Sequence, residues 1–539
     1  MNSSLILDVL VLLVYFGAII GVGLSQRSKS GSVEGFALGD RQIAWWAVLA
    51  SILAAEISAA TFLGAPGEGY AKQNWTYAQL AIGTILARIF VSFVFIPIYY
   101  RHGVISIYEF LETRFGRFTR RLASATFLIT RVLAMGTRLY VSAIIVVLAV
   151  QLWSGRIVGP QEKFLLFTGA LVLVTMLTAL YTTVGGIRAV IWTDFIQVGV
   201  LIAALAFTIF FVLGKIQGGW ATVAQHIQTP VFLDTLPMKE GEGLGAWLAR
   251  MFSEEYTVYA AVLGSTFVTM ATHGIDQDTV QRMLTAKNRR QSAFATIVSG
   301  LVDFPVVSAF ILIGILLAVY YQANPVPNLP TEEREIFPFF ILSQMPPGLR
   351  GLVTAGILAT AMGSLSTALN ALATSFARDF ALPRLESEGI LVDEWQRVRV
   401  LRQSTVLFAA LIIVVGVVTA WYMAHHPGAR IIPLVLGILG FTFGSLLGLF
   451  LVGLVTRTRG NDLGNGLAVA AGILAVLWAS GVFTKLFSPP DAPPGFVLAF
   501  PWRITLGTLV TFGVAVLFRT PEERIAFRDS ANAAIEAKE

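Results

Sequence analysis

Eight ionisable residues fall inside stretches that are otherwise apolar: Glu56, Arg88, Arg131, Arg138, Asp194, Asp276, Asp278 and Asp303. A charged side chain in hydrocarbon surroundings costs about 3 kcal/mol or more, so each is a candidate for handling an ion or a polar solute. Arg131 and Arg138 are seven residues apart, two helical turns, and therefore share a face. Arg131 stands nearer the start of its helix, from which it can snorkel, whereas Arg138 lies deeper. A guanidinium offers a planar fork that matches a carboxylate with two hydrogen bonds, which makes Arg138 a candidate clamp for an acidic solute. The plainer reading of each arginine is a structural ion pair with one of the carboxylates, Glu56 with Arg138 among them.

A second constellation carries hydroxyls. In Thr360-Ala361-Met362-Gly363-Ser364-Leu365-Ser366-Thr367-Ala368-Leu369-Asn370, the residues Thr360, Ser364 and Thr367 recur at i, i+4 and i+7 and share a face. Gly363 lets another backbone approach closely. Hydroxyl and carbonyl oxygens are the hard ligands that a small cation such as Na⁺ takes. Serine and threonine in membrane helices also simply hydrogen-bond to neighbouring helices, so the stripe alone leaves both readings open.

The elements that hold these residues are legible in the composition. The 539 residues are 56% hydrophobic and 13% charged, about half the charged share of a soluble protein. Apolar runs of 18 or more residues recur, long enough to cross a bilayer core of ~30 Å. No water is available there for backbone groups, and the short alternating segments of a membrane β-barrel are absent, which leaves a helical bundle. Thirteen spans are expected, at 5–24, 43–70, 77–100, 122–153, 164–182, 189–213, 256–280, 292–321, 348–376, 398–423, 431–456, 463–487 and 502–518. The first reads as a helix and not as a signal peptide, because no small-residue cleavage site follows it. Of the 38 Lys and Arg residues, 24 fall on one set of alternate loops and 11 on the other. This bias places the N-terminus outside and the C-terminus in the cytoplasm. It also accounts for the net charge of +6 without nucleic acid. No cysteine is present, so there is no disulfide framework, thiolate metal site or thiol nucleophile.

Two spans look broken. The run Gly64-Ala65-Pro66-Gly67-Glu68-Gly69 ends a stretch that contains Glu56, and Gly264, His273, Gly274, Asp276 and Asp278 interrupt the span at 256–280. Corresponding interruptions in two halves point to a transporter built from inverted repeats, with its site at the breaks. Between spans, Ile105-Ser106-Ile107-Tyr108-Glu109-Phe110-Leu111-Glu112 reads as an amphipathic helix lying at the membrane interface.

The sequence resembles the sodium/solute symporter family. The matching stretches are Ile107-Tyr108-Glu109-Phe110-Leu111-Glu112-Thr113-Arg114-Phe115-Gly116, the run from Gly185-Gly186-Ile187-Arg188 through Trp192-Thr193-Asp194-Phe195-Ile196-Gln197, Asp276-Gln277-Asp278-Thr279-Val280-Gln281-Arg282, and Gly363-Ser364-Leu365-Ser366-Thr367. The resemblance implies an all-α LeuT-type fold with an inverted five-plus-five repeat, residues 43–213 and 256–456. One extra span (5–24) would precede it, and two (463–518) and a cytoplasmic tail (519–539) would follow. It implies one sodium bound by the carbonyls of Ala54, Ile57 and Thr360 and the hydroxyl of Ser364. Gly363 stands where many members place a second hydroxyl, which leaves that site one oxygen poorer. A second sodium would lie at Asp194, Ser366 and Thr367. Substrate positions would be Glu56, where sugar carriers have asparagine, Thr61, Asp276, which replaces a further asparagine, and Arg138, where sialic acid carriers place an arginine.

The expected function is sodium-coupled import of a small polar solute (a sugar, a sugar acid such as sialic acid, or an amino or organic acid) across a bacterial-type inner membrane. Na⁺ is the coupling ion, and no organic cofactor is expected. The partners are the solute, sodium and the bilayer, with no nucleic acid, and a monomer suffices. Two readings compete from outside this one. A membrane enzyme would need a nucleophile, metal set or cofactor motif, and no HExxH, GxSxG or CxxC occurs. A sensor would need a signalling module, and about twenty residues follow Phe518. Within transport, proton coupling through Glu56 or Asp194 competes with sodium coupling.

Overall fold

The computed structural model describes residues 3–26, 31–154, 158–227, 231–426, 431–483 and 496–536. Arg27, the end of the expected 463–487 span and the last three residues of the tail lie outside the described residues. The main helices are α1 (Ser3–Ser25), α2 (Trp45–Glu56), α3 (Ala59–Lys72), α4 (Leu80–His102), α5 (Glu109–Arg114), α6 (Arg117–Ser154) and α7 (Pro160–Lys215). They continue as α8 (Ser265–Gly274), α9 (Gln277–Met283), α10 (Arg289–Ala323), α11 (Leu349–Phe376) and α12 (Glu394–His425). The last four are α13 (Ile431–Val455), α14 (Asp462–Ala479), α15 (Phe500–Ala515) and α16 (Glu522–Glu536). Among the described residues, β pairing is limited to two isolated bridges.

Nine helical stretches among the described residues are long and apolar enough to cross a membrane. The bent pair α2 and α3, which meet at 62°, makes a tenth. Large apolar side chains such as Phe93, Phe210 and Trp478 project from the outer surface, each more than 70% exposed. Scattered over several helices, they form an apolar belt that suits lipid and not water. Helix α11 is the opposite case. Every residue from Ala355 to Ser375 is buried, and its Ala, Gly, Ser and Thr content lets α2, α6, α7 and α12 pack close around it.

The spans expected at 164–182 and 189–213 form one continuous element, α7, divided by Gly186 at φ 58° and ψ −149°. Only glycine enters that region without strain, and a Cβ there would stand 2.6 Å from the Phe36 carbonyl oxygen. Two expectations need correction. The first break lies at Ile57–Ser58, not in the Gly64–Gly69 run, which is helical throughout. Ser58 caps α3 by accepting the Thr61 N–H, while Gly69 serves packing. A Cβ on Gly69 would come within 2.3 Å of the Ile311 carbonyl oxygen on α10. The second correction concerns residues 105–112, which do not lie as an amphipathic helix at the interface. Only Glu109–Arg114 is helical, and Ile107 and Tyr108 are fully buried. Gln277 on α9 holds this segment by accepting the Ile107 N–H at 2.9 Å and donating to the Ile105 carbonyl at 2.8 Å.

Candidate ion and substrate site

The site is built where two helix breaks face the buried helix α11. At the first break Ser58 N–H turns back to the Glu56 carbonyl at 2.8 Å, while Ile57 N–H closes the last helical bond to Leu53. The Ala54 carbonyl, which Ser58 N–H would have met in a continuing helix, is therefore outside the ladder. Gly363 of α11 faces it, since a Cβ on Gly363 would lie 3.4 Å from that oxygen. One residue on, the Ser364 hydroxyl donates to the Ala55 carbonyl at 3.3 Å. Ala54, Gly363 and Ser364 are thus brought together, with Ile57 at the C-cap of α2. Thr360 is buried one turn earlier on α11, its hydroxyl donating to Ile357 O at 2.7 Å.

Asp194 of α7 joins the same region. One carboxylate oxygen accepts from the Ser51 hydroxyl at 2.6 Å and lies 3.8 Å from the Arg282 guanidinium. Its other oxygen is buried without a hydrogen-bond partner among the described residues. That free oxygen is 3.5 Å from where a Gly363 Cβ would stand. The Ser366 and Thr367 hydroxyls both donate to Gly363 O, at 3.1 and 2.7 Å, and no hydrogen bond joins either to Asp194 among the described residues.

Sequence reasoning missed Gln197. Its side-chain oxygen lies 2.7 Å from where a Gly363 Cβ would be, so the amide fills the space a side chain at 363 would take. Both polar atoms of this amide are buried and make no hydrogen bond of good geometry with a described residue, the Tyr15 hydroxyl being the polar group beside them. Leaving such atoms unsatisfied costs about 1–3 kcal/mol each, a cost that a cation beside the oxygen would offset. A signal was available: Gln197 is three residues past Asp194 and so on the same helical face.

On the other flank the charged residues form pairs that sequence could not assign. Glu56 pairs with Arg88 of α4 and with His273 Nε2 of α8 at 2.8 Å, and not with Arg138. Arg88 is fully buried, donates to the Ser299 hydroxyl at 2.9 Å and lies 3.9 Å from Asp303. At the second break Asp276 caps α9 by accepting the Asp278 N–H at 3.1 Å and pairs with Arg131, which also lies 2.9 Å from Asp278. Arg131 therefore does not snorkel. It is 5% exposed and bound inward, because two carboxylates lie within reach. Thr61 is half-buried, its hydroxyl 3.4 Å from that of Ser58. Arg138 differs from all of these. It is half-buried on α6 and makes no ion pair or side-chain hydrogen bond with a described residue. Such a cation suits an anionic group that arrives from outside the protein.

A model of the sodium:solute symporter family matches residues 36–465. The chain is 29% identical over 482 residues to the sodium/sialic acid symporter NanT of Aliivibrio fischeri, covering 88% of this chain and 87% of that protein. It is 28% identical over 479 residues to the sodium/sialic acid symporter SiaT of Proteus mirabilis, covering 87% and 88%. The human sodium/iodide cotransporter matches at 27% over 495 residues, covering 89% and 70%. A solved structure of a Na⁺-coupled sialic acid symporter in a substrate-bound, outward-open state superposes with a TM-score of 0.76 at 23% identity, covering 95% of this chain and 97% of that one. At that identity the likeness is one of fold.

Proposed function

The chain belongs to the sodium:solute symporter family, and from that premise we propose that it imports a small acidic solute together with Na⁺ by alternating access. The observation that carries this reading is an oxygen-only donor set at one place. It comprises the Ala54 carbonyl outside the helix ladder, the Ser364 hydroxyl, and the unpartnered oxygens of Gln197 and Asp194 around Gly363. Such a set suits a hard monovalent cation. In this reading Ala54, Ile57, Thr360 and Ser364 hold the first sodium, with Gln197 in place of the hydroxyl that Gly363 lacks. Asp194, Ser366 and Thr367 hold a second sodium. Sodium supplies the driving gradient, and the residues hold the ion where the helix break can respond to it.

Arg138 and Thr61 contact the solute. Glu56 and Asp276 stand beside it, since each already faces an arginine. The solute is a carboxylate carried with other polar groups, with sialic acid the first compound to try, as two relatives are symporters for it. The family and its relatives are transporters, so the protein acts by moving solute and not by chemical conversion. Its frame is read as thirteen spans: an inverted repeat of 43–213 and 256–456, the extra helix 5–24, the pair within 463–518 and the tail 519–539. The protein sits in the inner membrane as a monomer, N-terminus outside.

The test is thermal unfolding of the purified protein in sodium, potassium and choline salts. A ligand at a hundred times its dissociation constant adds ~2.7 kcal/mol to stability. Sodium alone should raise Tm, and an acidic solute should raise it further only when sodium is present. Equal stabilisation by potassium overturns the reading. A solute response that depends on pH and ignores sodium favours proton coupling instead.

A further inference from the structure

A cavity of about 510 Å³ opens far from this site, where the ends of α4 and α13 meet α5 and the C-terminal helix α16. It lies on the face that carries the excess of basic loop residues. Four arginines line it: Arg101, Arg114, Arg457 and Arg528. Two carboxylates oppose them, both from α16. Glu536 pairs with Arg101, and Asp529 lies 2.7 Å from Arg528, leaving the lining with a positive excess. Arg457 makes no ion pair with a described residue. Apolar side chains, Phe110 and Leu454, complete the wall.

Arg114 is the informative member. It is 3% exposed, yet every acceptor it meets is neutral. It donates to the Thr520 hydroxyl at 3.1 Å and to the Thr456 and Arg459 carbonyls at 3.0 Å each. Its Nε is buried and unpartnered among the described residues. Burial and the charge of Arg528 push its pKa down to about 10 against the opposing pull of the nearby Asp529 carboxylate, which leaves it charged at neutral pH with no carboxylate hydrogen-bonded to it among the described residues. A buried guanidinium whose hydrogen bonds all go to neutral acceptors, beside three further arginines and an apolar wall, calls for a multivalent oxyanion that can accept forked hydrogen bonds.

We infer that this cavity binds a phosphate group, carried either by an anionic phospholipid headgroup or by a soluble phosphate ester. Basic pockets between membrane helices hold phospholipid headgroups in this way. Phe110 and Leu454 would meet the glycerol end of a lipid. Glu536 and Asp529 compete with the phosphate for Arg101 and Arg528, so docking of α16 and anion binding are linked.

The test uses the full-length protein in phosphatidylcholine nanodiscs, with phosphatidylglycerol, oleate, inorganic phosphate or glycerol 3-phosphate added, and reads Tm against added amount. Phosphatidylglycerol should give a saturable rise that oleate does not. A rise with phosphatidylglycerol alone assigns the site to lipid, and a rise with glycerol 3-phosphate or phosphate as well assigns it to soluble esters. The variant Arg101→Gln with Arg457→Gln, both outside the transport site, should weaken the response roughly tenfold or more. Asp529→Asn with Glu536→Gln should strengthen it about as much, which reads the site even if the arginine variant folds poorly. No saturable response to any phosphate, an equal response to oleate, or a carboxylate variant that responds like the wild type overturns the inference.

Discussion

Replacing Gln197 probes the proposed sodium site where the amide faces Gly363. Its amide oxygen sits 2.7 Å from the place a Gly363 Cβ would take, and nothing described donates to it. Gln197→Leu nearly keeps the side-chain volume between α7 and α11 and removes both polar atoms of the amide, the oxygen that faces Gly363 among them. A contact to a charged group contributes about 1.5–3 kcal/mol. At 1.4 kcal/mol per factor of ten, the dissociation constant for sodium should rise roughly ten- to a hundredfold. Gly363→Ser alone should also harm binding, because its Cβ drives into the amide, at an overpacking cost of about 1–3 kcal/mol. Combined with Gln197→Ala, the serine has room and offers a hydroxyl in the same place. The pair should then bind sodium more tightly than Gln197→Ala by itself. Sodium titrations of Tm on the four proteins read this directly. An unchanged sodium affinity in well-folded Gln197→Leu refutes the amide as a ligand, and so does a double variant no better than Gln197→Ala.

Asp194→Asn should lower the Hill coefficient of sodium-dependent uptake toward one and reduce the charge moved per solute in proteoliposomes; unchanged stoichiometry makes Asp194 structural only. Arg138→Lys keeps the charge but loses the fork, so solute affinity should fall by about tenfold or more with near-normal Tm. Unchanged affinity removes the acidic solute and makes a neutral sugar or polyol the better candidate. Arg88→Met strands Glu56 with His273 alone and should cost about 3–5 kcal/mol, much of it regained by adding Glu56→Gln. Equal Tm in the single and double variants would show that the Glu56–Arg88 pair contributes little.

The helical bundle and the second break were legible because hydropathy runs and the Gly-Ile-Asp interruption act locally. The first break was misplaced for a physical reason. Gly64, Pro66, Gly67 and Gly69 give the stronger local signal, but Gly69 is needed for close packing against α10, while a single serine cap turns the chain at Ser58. The charged residues were legible one by one and their pairing was not. Glu56 finds Arg88 and His273 across three separate helices, and Asp276 finds Arg131 likewise, so partner choice depends on tertiary approach. Gln197 shows the same limit from the other side. Its spacing from Asp194 was visible, but its importance follows from the emptiness of Gly363 on another helix.

Whether sodium drives import is decided by uptake of a labelled acidic solute, chosen by the thermal-shift screen, into proteoliposomes with an imposed inward sodium gradient. Sodium coupling predicts accumulation above the outside concentration, collapse of that accumulation when the gradient is abolished with a sodium ionophore, and loss of it in Gln197→Leu at limiting sodium. Accumulation that persists with potassium in place of sodium, or that follows a proton gradient alone, would contradict it.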